Sequence, residues 1–549
     1  MMLSSITRPK VKQFMRDYQF DLLIIGGGIT GAGIALDAVT RGLSVALLDM
    51  QDFAAGTSSR STKLIHGGLR YLKQMELKIV SETGKERDVV YRNALHVTEP
   101  ERMLLPFHKG GSFGKLTTSA GLFVYDKLAG VKKEERREML SPEETLEMEP
   151  LVREDGLLGG GHYVEYRTDD ARLTIEVLKK AAQKGALCLN YLKVEQFTYQ
   201  DKKVAGVSAR DMLTGEVIDI SASVVVNATG PWVDEVRGKD EVSNDKRLRL
   251  TKGTHIVIDK SIFPLQQAIY FDSPDGRMIF AVPRGNKAYI GTTDTFFDGD
   301  RANPVATEED IAYLLDALHY MFPSVKADRN DVESTWAGVR PLIYEEGKDA
   351  SEISRKDEIW EAGTGLITIA GGKLTGYRKM AETVVDQVIK RFPTTSFGPC
   401  VTEYLPLAGG DFESEEQFAN FIESKSNEAE LYGLTKEEGR ALASLYGSNV
   451  DQVYTYVSAV STEKTVLPAI WKAEILYSIH NEMAMTPSDF FIRRKGDLYF
   501  NIAFVKLYKE AATDYMGAIL SYSEETKELY LSQLEQHIKE AEGKVGERV

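Results

Sequence analysis

Cysteine is almost missing from this chain: among 549 residues the only thiols are Cys188 and Cys400. Two are too few for a disulfide framework or a thiolate metal centre, so both are expected as reduced core or surface residues and no metal site is expected. Long apolar runs are missing too. No uninterrupted stretch approaches the roughly 18 residues a membrane-crossing helix needs, and the N-terminus has no signal-peptide apolar core. These absences predict a cytoplasmic protein. Positive charge is in deficit, with 67 Lys and Arg against 82 Asp and Glu and a formal net charge of −15. That balance argues against nucleic acid as a partner and against wholesale adsorption to anionic lipid. An anionic substrate would have to be met by a local cluster of cations. Repeats and low-complexity tracts are absent as well.

What is present is ordinary globular composition, 43% hydrophobic and 27% charged, in a chain too long for a single core. Arg8, Lys10, Lys12 and Arg16 surround Phe14 and Met15 in a basic N-terminal segment, residues 1–17, expected as a frayed, solvated tail and a candidate weak contact with lipid headgroups. Charged helical sequence takes over near Pro399, which sets a domain boundary there and a helical accessory domain over 401–549.

The most informative stretch is DLLIIGGGITGAGIALDAVTRGLSVALLD, Asp21–Asp49. Leu22–Ile25 reads as a buried strand, Gly26, Gly28 and Gly31 form GxGxxG, an apolar helix runs to about Arg41, and Ser44–Leu48 is a second parallel strand. Gly26 permits the tight turn, Gly28 lets the backbone approach a pyrophosphate, and Gly31 allows close helix–strand packing while the helix N-terminus faces the phosphate charge. Asp49 ends the unit, where its carboxylate can accept from ribose hydroxyls. Strand, glycines, helix, strand and acid in this order predict a dinucleotide cradle. The unit does not separate NAD from FAD, because both present an ADP half to it.

Two further features converge on a bound cofactor. GLITIAGGKLTGYRKMAETVVDQVI, Gly365–Ile389, repeats the strand–glycine–helix junction: Ile367–Ala370 as strand, Gly371 and Gly372 in the turn, and a helix from about Thr375. TSSRSTKLIHGGLRYL, Thr57–Leu72, spaces Lys63, His66 and Arg70 by three and four, one face if the stretch is helical, with Gly67 and Gly68 admitting close approach of a ligand. SVVVNATGPW, Ser223–Trp232, is a buried strand ending in small residues, and the alternation over Thr251–Thr293 suits an antiparallel sheet flooring a pocket.

Together with VVNATGPWV, KGTHIV, IGTTD, GVRPL, SRKD, GGKLTGYRKMAE and PSDFFIRRKG, these blocks closely resemble the FAD-dependent glycerol-3-phosphate dehydrogenases over nearly the whole chain. The resemblance implies an α/β fold: a Rossmann-like FAD-binding domain of the glycine and D-amino acid oxidase type, an antiparallel substrate domain and a C-terminal all-helical domain. It implies an oxidoreductase region over 18–400, with FAD-binding parts at about 18–100, 150–245 and 335–400 and substrate parts at about 101–149 and 246–334.

By resemblance Thr57, Ser58, Ser59, Lys63, His66 and Gly67 face the cofactor, as do Ala228, Thr229 and Gly230 on one side and Gly371, Gly372, Leu374 and Thr375 on another. Arg70, Tyr71, Arg340, Arg355 and Lys373 match positions that line the substrate site, with His255 near it. A phosphate dianion in a water-restricted pocket calls for several cations, arginine above all, and Arg340 and Lys373 are the candidates for the C2 oxygen. The implied reaction oxidises sn-glycerol 3-phosphate at C2 to dihydroxyacetone phosphate, hydride passing to flavin N5 and the hydroxyl proton to His66, His255 or water. Electrons would continue to membrane quinone through peripheral contact with the inner face of the cell membrane, made by the basic N-terminal segment or the amphipathic helix after Lys373. An oxygen-using oxidase that releases hydrogen peroxide and a non-catalytic flavin protein are the alternatives, and a homodimer is left open.

Overall fold

The computed structural model describes residues 3–66, 77–111, 137–240, 247–344, 357–463 and 466–544. Helix α1 (Arg8–Asp17) leads into strand β1 (Gln19–Ile25), helix α2 (Ile29–Arg41) and strand β2 (Val45–Leu48). β1 is the centre of a parallel sheet, paired with β2 on one side and with Val217–Asn227 on the other; Leu187–Leu189 and Ile367–Ala370 extend it at either end. Leu22, Leu23 and Ile24 are fully buried, as the continuous apolar run of a strand covered on both faces demands. α2 stops at Gly42, whose φ of 103° lets its N–H cap the Val39 carbonyl.

The helix Tyr377–Ile389 packs on α2 so closely that a Cβ on Gly33 would stand 2.8 Å from Tyr377 and 3.2 Å from Ala381. Its apolar face is therefore spent in the core, not offered to a membrane, which corrects the second candidate contact. The N-terminal segment also departs from expectation. Val11 and Met15 are buried, Arg8 and Lys12 both bind Asp211, and Arg16 binds Glu216, so α1 is a docked helix and not a frayed tail. Phe14 and Tyr18 stay exposed and stack on each other, centroids 5.1 Å apart.

The second sheet is antiparallel except where Ala268–Asp272 runs parallel to Thr98–His108. Along Leu248–Asp259, Ile256 and Ile258 point to a core shared with the helix Glu308–Met321, whereas Val257 points the other way, with Tyr289 and Trp336, toward Trp471, Phe490 and Tyr499. This period-2 alternation explains how one strand serves two cores. The helices between Ala469 and Ala541 thus cap one face of the sheet, while those between Glu415 and Val460 pack with Ala473 and Tyr477 in a core of their own. Among the described residues no helix is long and apolar enough to cross a membrane.

Candidate functional site

The strand order of the parallel sheet reverses between β1 and Val217–Asn227, the position at which sheets of this kind hold ligands. A cavity of about 620 Å³ opens there and runs on to the second sheet. Gly26 forms its first edge with φ 109°, and a Cβ on it would stand 2.5 Å from the Ala228 carbonyl oxygen. A Cβ on Gly31 would stand 1.9 Å from Gly26 O, so this glycine sets the helix–strand contact without reaching the cavity. Ser58 Oγ accepts from Ile29 N at 2.9 Å and ties the Thr57–Ser59 turn to the N-terminus of α2. That terminus is a ready anion site.

Asp49 closes the cradle. Gly27 N donates to its Oδ2 at 2.7 Å and Gln51 N to its Oδ1 at 2.9 Å, while burial pushes the carboxyl up to about 7. It is a well-oriented acceptor at the end of β2, with lone pairs left for ribose hydroxyls.

Across the cavity, Gly371 and Gly372 turn the chain out of the strand Ile367–Ala370 into a single turn, Leu374–Gly376, and then the helix from Tyr377. Thr375 Oγ1 donates to the His66 carbonyl at 3.3 Å, joining the two segments that the sequence marks as cofactor contacts. The Lys373 Nζ is buried in the wall.

Arg340 projects from the strand Val332–Ile343. Its Nη1 donates to Asp294 Oδ1 at 3.2 Å and its Nη2 to Thr292 Oγ1 at 3.0 Å. The fork has room only because residue 253 is glycine, where a Cβ would lie 2.3 Å from Nη2. Beside it, His255 places Nε2 3.0 Å from Thr62 Oγ1. Burial, then the charges of Arg340 and Lys63, hold its imidazole well below the ordinary histidine range, so it is neutral at pH 7.

The cavity wall thus gathers Gly26, Gly28, Asp49, Thr57 and Ser58 with Ala228, Thr229 and Gly230, and sets them opposite Gly371, Gly372, Lys373, Leu374 and Thr375. His66, His255 and Arg340 line its far end. Ser59 and Lys63 do not reach it. Ser59 is 1% exposed, and Lys63 is buried on Asp170 and the Ser59 carbonyl. Leu64–Ile65 is a strand, which removes the helical face proposed for Lys63, His66 and Arg70; a buried ion pair, not a ligand, explains Lys63. Gly67, Gly68, Arg70, Tyr71 and Arg355 lie outside the described residues. Sequence reasoning missed Thr62, Thr292 and Asp294, which orient His255 and Arg340, and also Arg60 and Arg277, which line the cavity. The IGTTD block held two of them, but nothing in its pattern pairs it with Arg340 across the sheet.

The residues present fit an ADP-bearing flavin: a glycine turn that admits a pyrophosphate, an acid for the ribose and a second helix N-terminus across the cavity. The comparisons agree. The family model for FAD dependent oxidoreductases matches residues 21–378, and that for the C-terminal domain of alpha-glycerophosphate oxidase matches 400–527. The chain is 58% identical over 546 residues to the aerobic glycerol-3-phosphate dehydrogenase of Staphylococcus epidermidis, 98% of each chain. It superposes on the crystal structure of the Bacillus halodurans glycerol-3-phosphate dehydrogenase complexed with FAD with a TM-score of 0.88 at 47% identity, covering 100% of both. The L-alpha-glycerophosphate oxidase of Mycoplasma pneumoniae shares the fold alone, with a TM-score of 0.56 and 17% identity over 70% of this chain and 98% of that one.

Proposed function

Because this chain belongs to the FAD-dependent oxidoreductases and, within them, to the glycerol-3-phosphate dehydrogenases, we propose that it binds FAD and oxidises sn-glycerol 3-phosphate at C2 to dihydroxyacetone phosphate, passing the electrons to membrane quinone. FAD, when bound, supplies a hydride acceptor at N5. The observation that carries the reading is the single cavity in which the glycine turn and Asp49 share walls with Arg340, Lys373 and two histidines.

Each residue then has a physical task. The N-terminus of α2 neutralises the cofactor pyrophosphate and Asp49 accepts from the adenosine ribose. Arg340, aimed by Asp294 and Thr292, presents a planar fork to the substrate anion, and the buried Lys373 adds a second positive charge where the C2 oxygen loses its proton. The proton of the C2 hydroxyl goes to His66. Burial and Arg340 oppose positive charge on His255, so His255 is a weak base and serves as a neutral hydrogen-bonding wall. Membrane contact at the inner face of the cell membrane is assigned to the exposed Phe14–Tyr18 stack at the C-terminal end of α1.

Steady-state turnover with sn-glycerol 3-phosphate tests the acceptor. A soluble quinone should sustain the reaction in air with little hydrogen peroxide formed. Peroxide equal to the product formed, unaffected by quinone, would assign the oxidase reaction instead.

A further inference from the structure

Asp52 follows Asp49 by three residues, in the loop that carries β2 into the cavity wall, and it is 1% exposed. Its partners come from the other end of the chain. Arg494 grips it with a two-point fork, Nη1 to Oδ2 at 2.7 Å and Nη2 to Oδ1 at 2.9 Å, and Arg493 Nε binds Oδ2 as well. Both arginines lie in the π-type turn Asp489–Arg494 of the helical C-terminal region. The loop has little freedom between these anchors and the cavity. Gln51 O accepts from Tyr191 N at 2.9 Å, Ala54 N donates to Gly27 O at 3.0 Å, and Gln51 N donates to Asp49 itself at 2.9 Å.

Arg494 is held in turn by Glu482, whose carbonyl accepts from Nη2 at 2.7 Å. The Glu482 carboxylate binds Arg172, and Lys179 at 3.2 Å, both on the helix Asp170–Gln183. Asp170, the first residue of that helix, accepts from Ser61 N at 2.9 Å, and Ser61 lines the cavity. One residue of the helical region thus steadies both ends of the segment that runs along the cofactor side of the cavity.

We propose that the C-terminal helical domain is a latch on the cofactor site: Arg494, aided by Arg493, holds the loop after β2 through Asp52, so that Asp49 is presented to the adenosine ribose only when the helical domain is docked. The inference rests on the dinucleotide occupying this cavity with its ribose at Asp49. Arg493 and Arg494 are positioning residues, since neither lines the cavity. A bidentate fork fixes a carboxylate in direction as well as distance, which a lysine does not do. The coupling is reciprocal: bound FAD must steady the latch as the latch steadies FAD.

Quenching of FAD fluorescence by apoprotein, read at a temperature where each variant keeps native circular dichroism, tests this. Arg494→Gln is expected to weaken FAD by about tenfold or more, the scale on which the outer partners of a binding group act. Arg494→Lys should fall between it and the unaltered protein. Lys495→Gln, which breaks the half-buried pair with Glu474 inside the same domain, should stay within about twofold. Native Arg494→Gln that binds FAD as tightly as the unaltered protein would overturn the latch. Asp49→Asn binding FAD at full strength would instead overturn the placement of the ribose. Should Arg494→Gln fail to fold, amide exchange on the unaltered protein decides: FAD must slow residues 49–56 and 489–496 together, and protection of 49–56 alone contradicts the proposal.

Discussion

His255 and Trp336 lie face to face, their ring centroids 4.6 Å apart and their planes 9° from parallel. Burial, then the charges of Arg340 and Lys63, keeps the imidazole uncharged, and that has a consequence in acid. In the unfolded chain this histidine takes up a proton near pH 6.5, whereas in the folded chain it does so only at much lower pH, so below about pH 6.5 the unfolded state binds more protons and stability falls. The unaltered protein should therefore lose up to about 1.4 kcal/mol per pH unit more than His255→Asn between about pH 6 and 5. Denaturant unfolding at a series of pH values measures it, and equal slopes would contradict the assignment.

The space left by Gly253 makes a cleaner probe of Arg340 than removing the arginine. Gly253→Ala puts a methyl group where Nη2 now lies and leaves every charge in place. We expect FAD still bound, with kcat/KM for sn-glycerol 3-phosphate down by about tenfold to hundredfold, the price of losing an aimed fork. Unchanged kinetics would show that Arg340 does not act from its present position.

Asp49, proposed here as the acceptor for the ribose, works against stability. Its folded-state carboxyl titrates at about 7, above the unfolded value of 3.8, so the folded form keeps a proton that the unfolded form has lost, and stability declines as pH rises toward 7. Asp49→Asn should raise the thermal midpoint of the apoprotein at pH 8 by roughly 2 °C or more while weakening FAD. A lowered midpoint at pH 8 would contradict the sign.

The two histidines of the cavity are expected to separate kinetically. His66→Asn should slow flavin reduction by about a hundredfold, the lower end of what a general base contributes, with the flavin spectrum intact. His255→Asn should move the rate far less. The reverse order would transfer the base to His255.

Much of this was legible in the sequence, for reasons that are local. The turn at Gly26, the run Leu22–Ile25 and the acid at Asp49 fall within one βαβ unit whose spacing is set by backbone geometry, and the structure has β1, α2 and β2 where the pattern put them. The second glycine junction was legible for the same reason, although its helix proper begins at Tyr377, after a tighter turn at Leu374–Gly376. The failures are long-range. α1 reads as a loose basic tail because the acids that neutralise it, Asp211 and Glu216, lie about 200 residues away. Lys63 reads as a ligand because Asp170 is 107 residues downstream. Asp52 and Arg494 are 442 residues apart, and no periodicity links them. Positions that orient a catalytic group are set by tertiary packing, which a single sequence does not display.

The most direct test of the central claim is an anaerobic absorbance titration of the FAD-loaded protein with sn-glycerol 3-phosphate, run beside glycerol and a 2-amino acid. The account predicts that the phosphate ester alone bleaches the flavin band, and that dihydroxyacetone phosphate appears in equal amount. A flavin that stays oxidised with the phosphate ester, or one that is bleached by the amino acid, would contradict it.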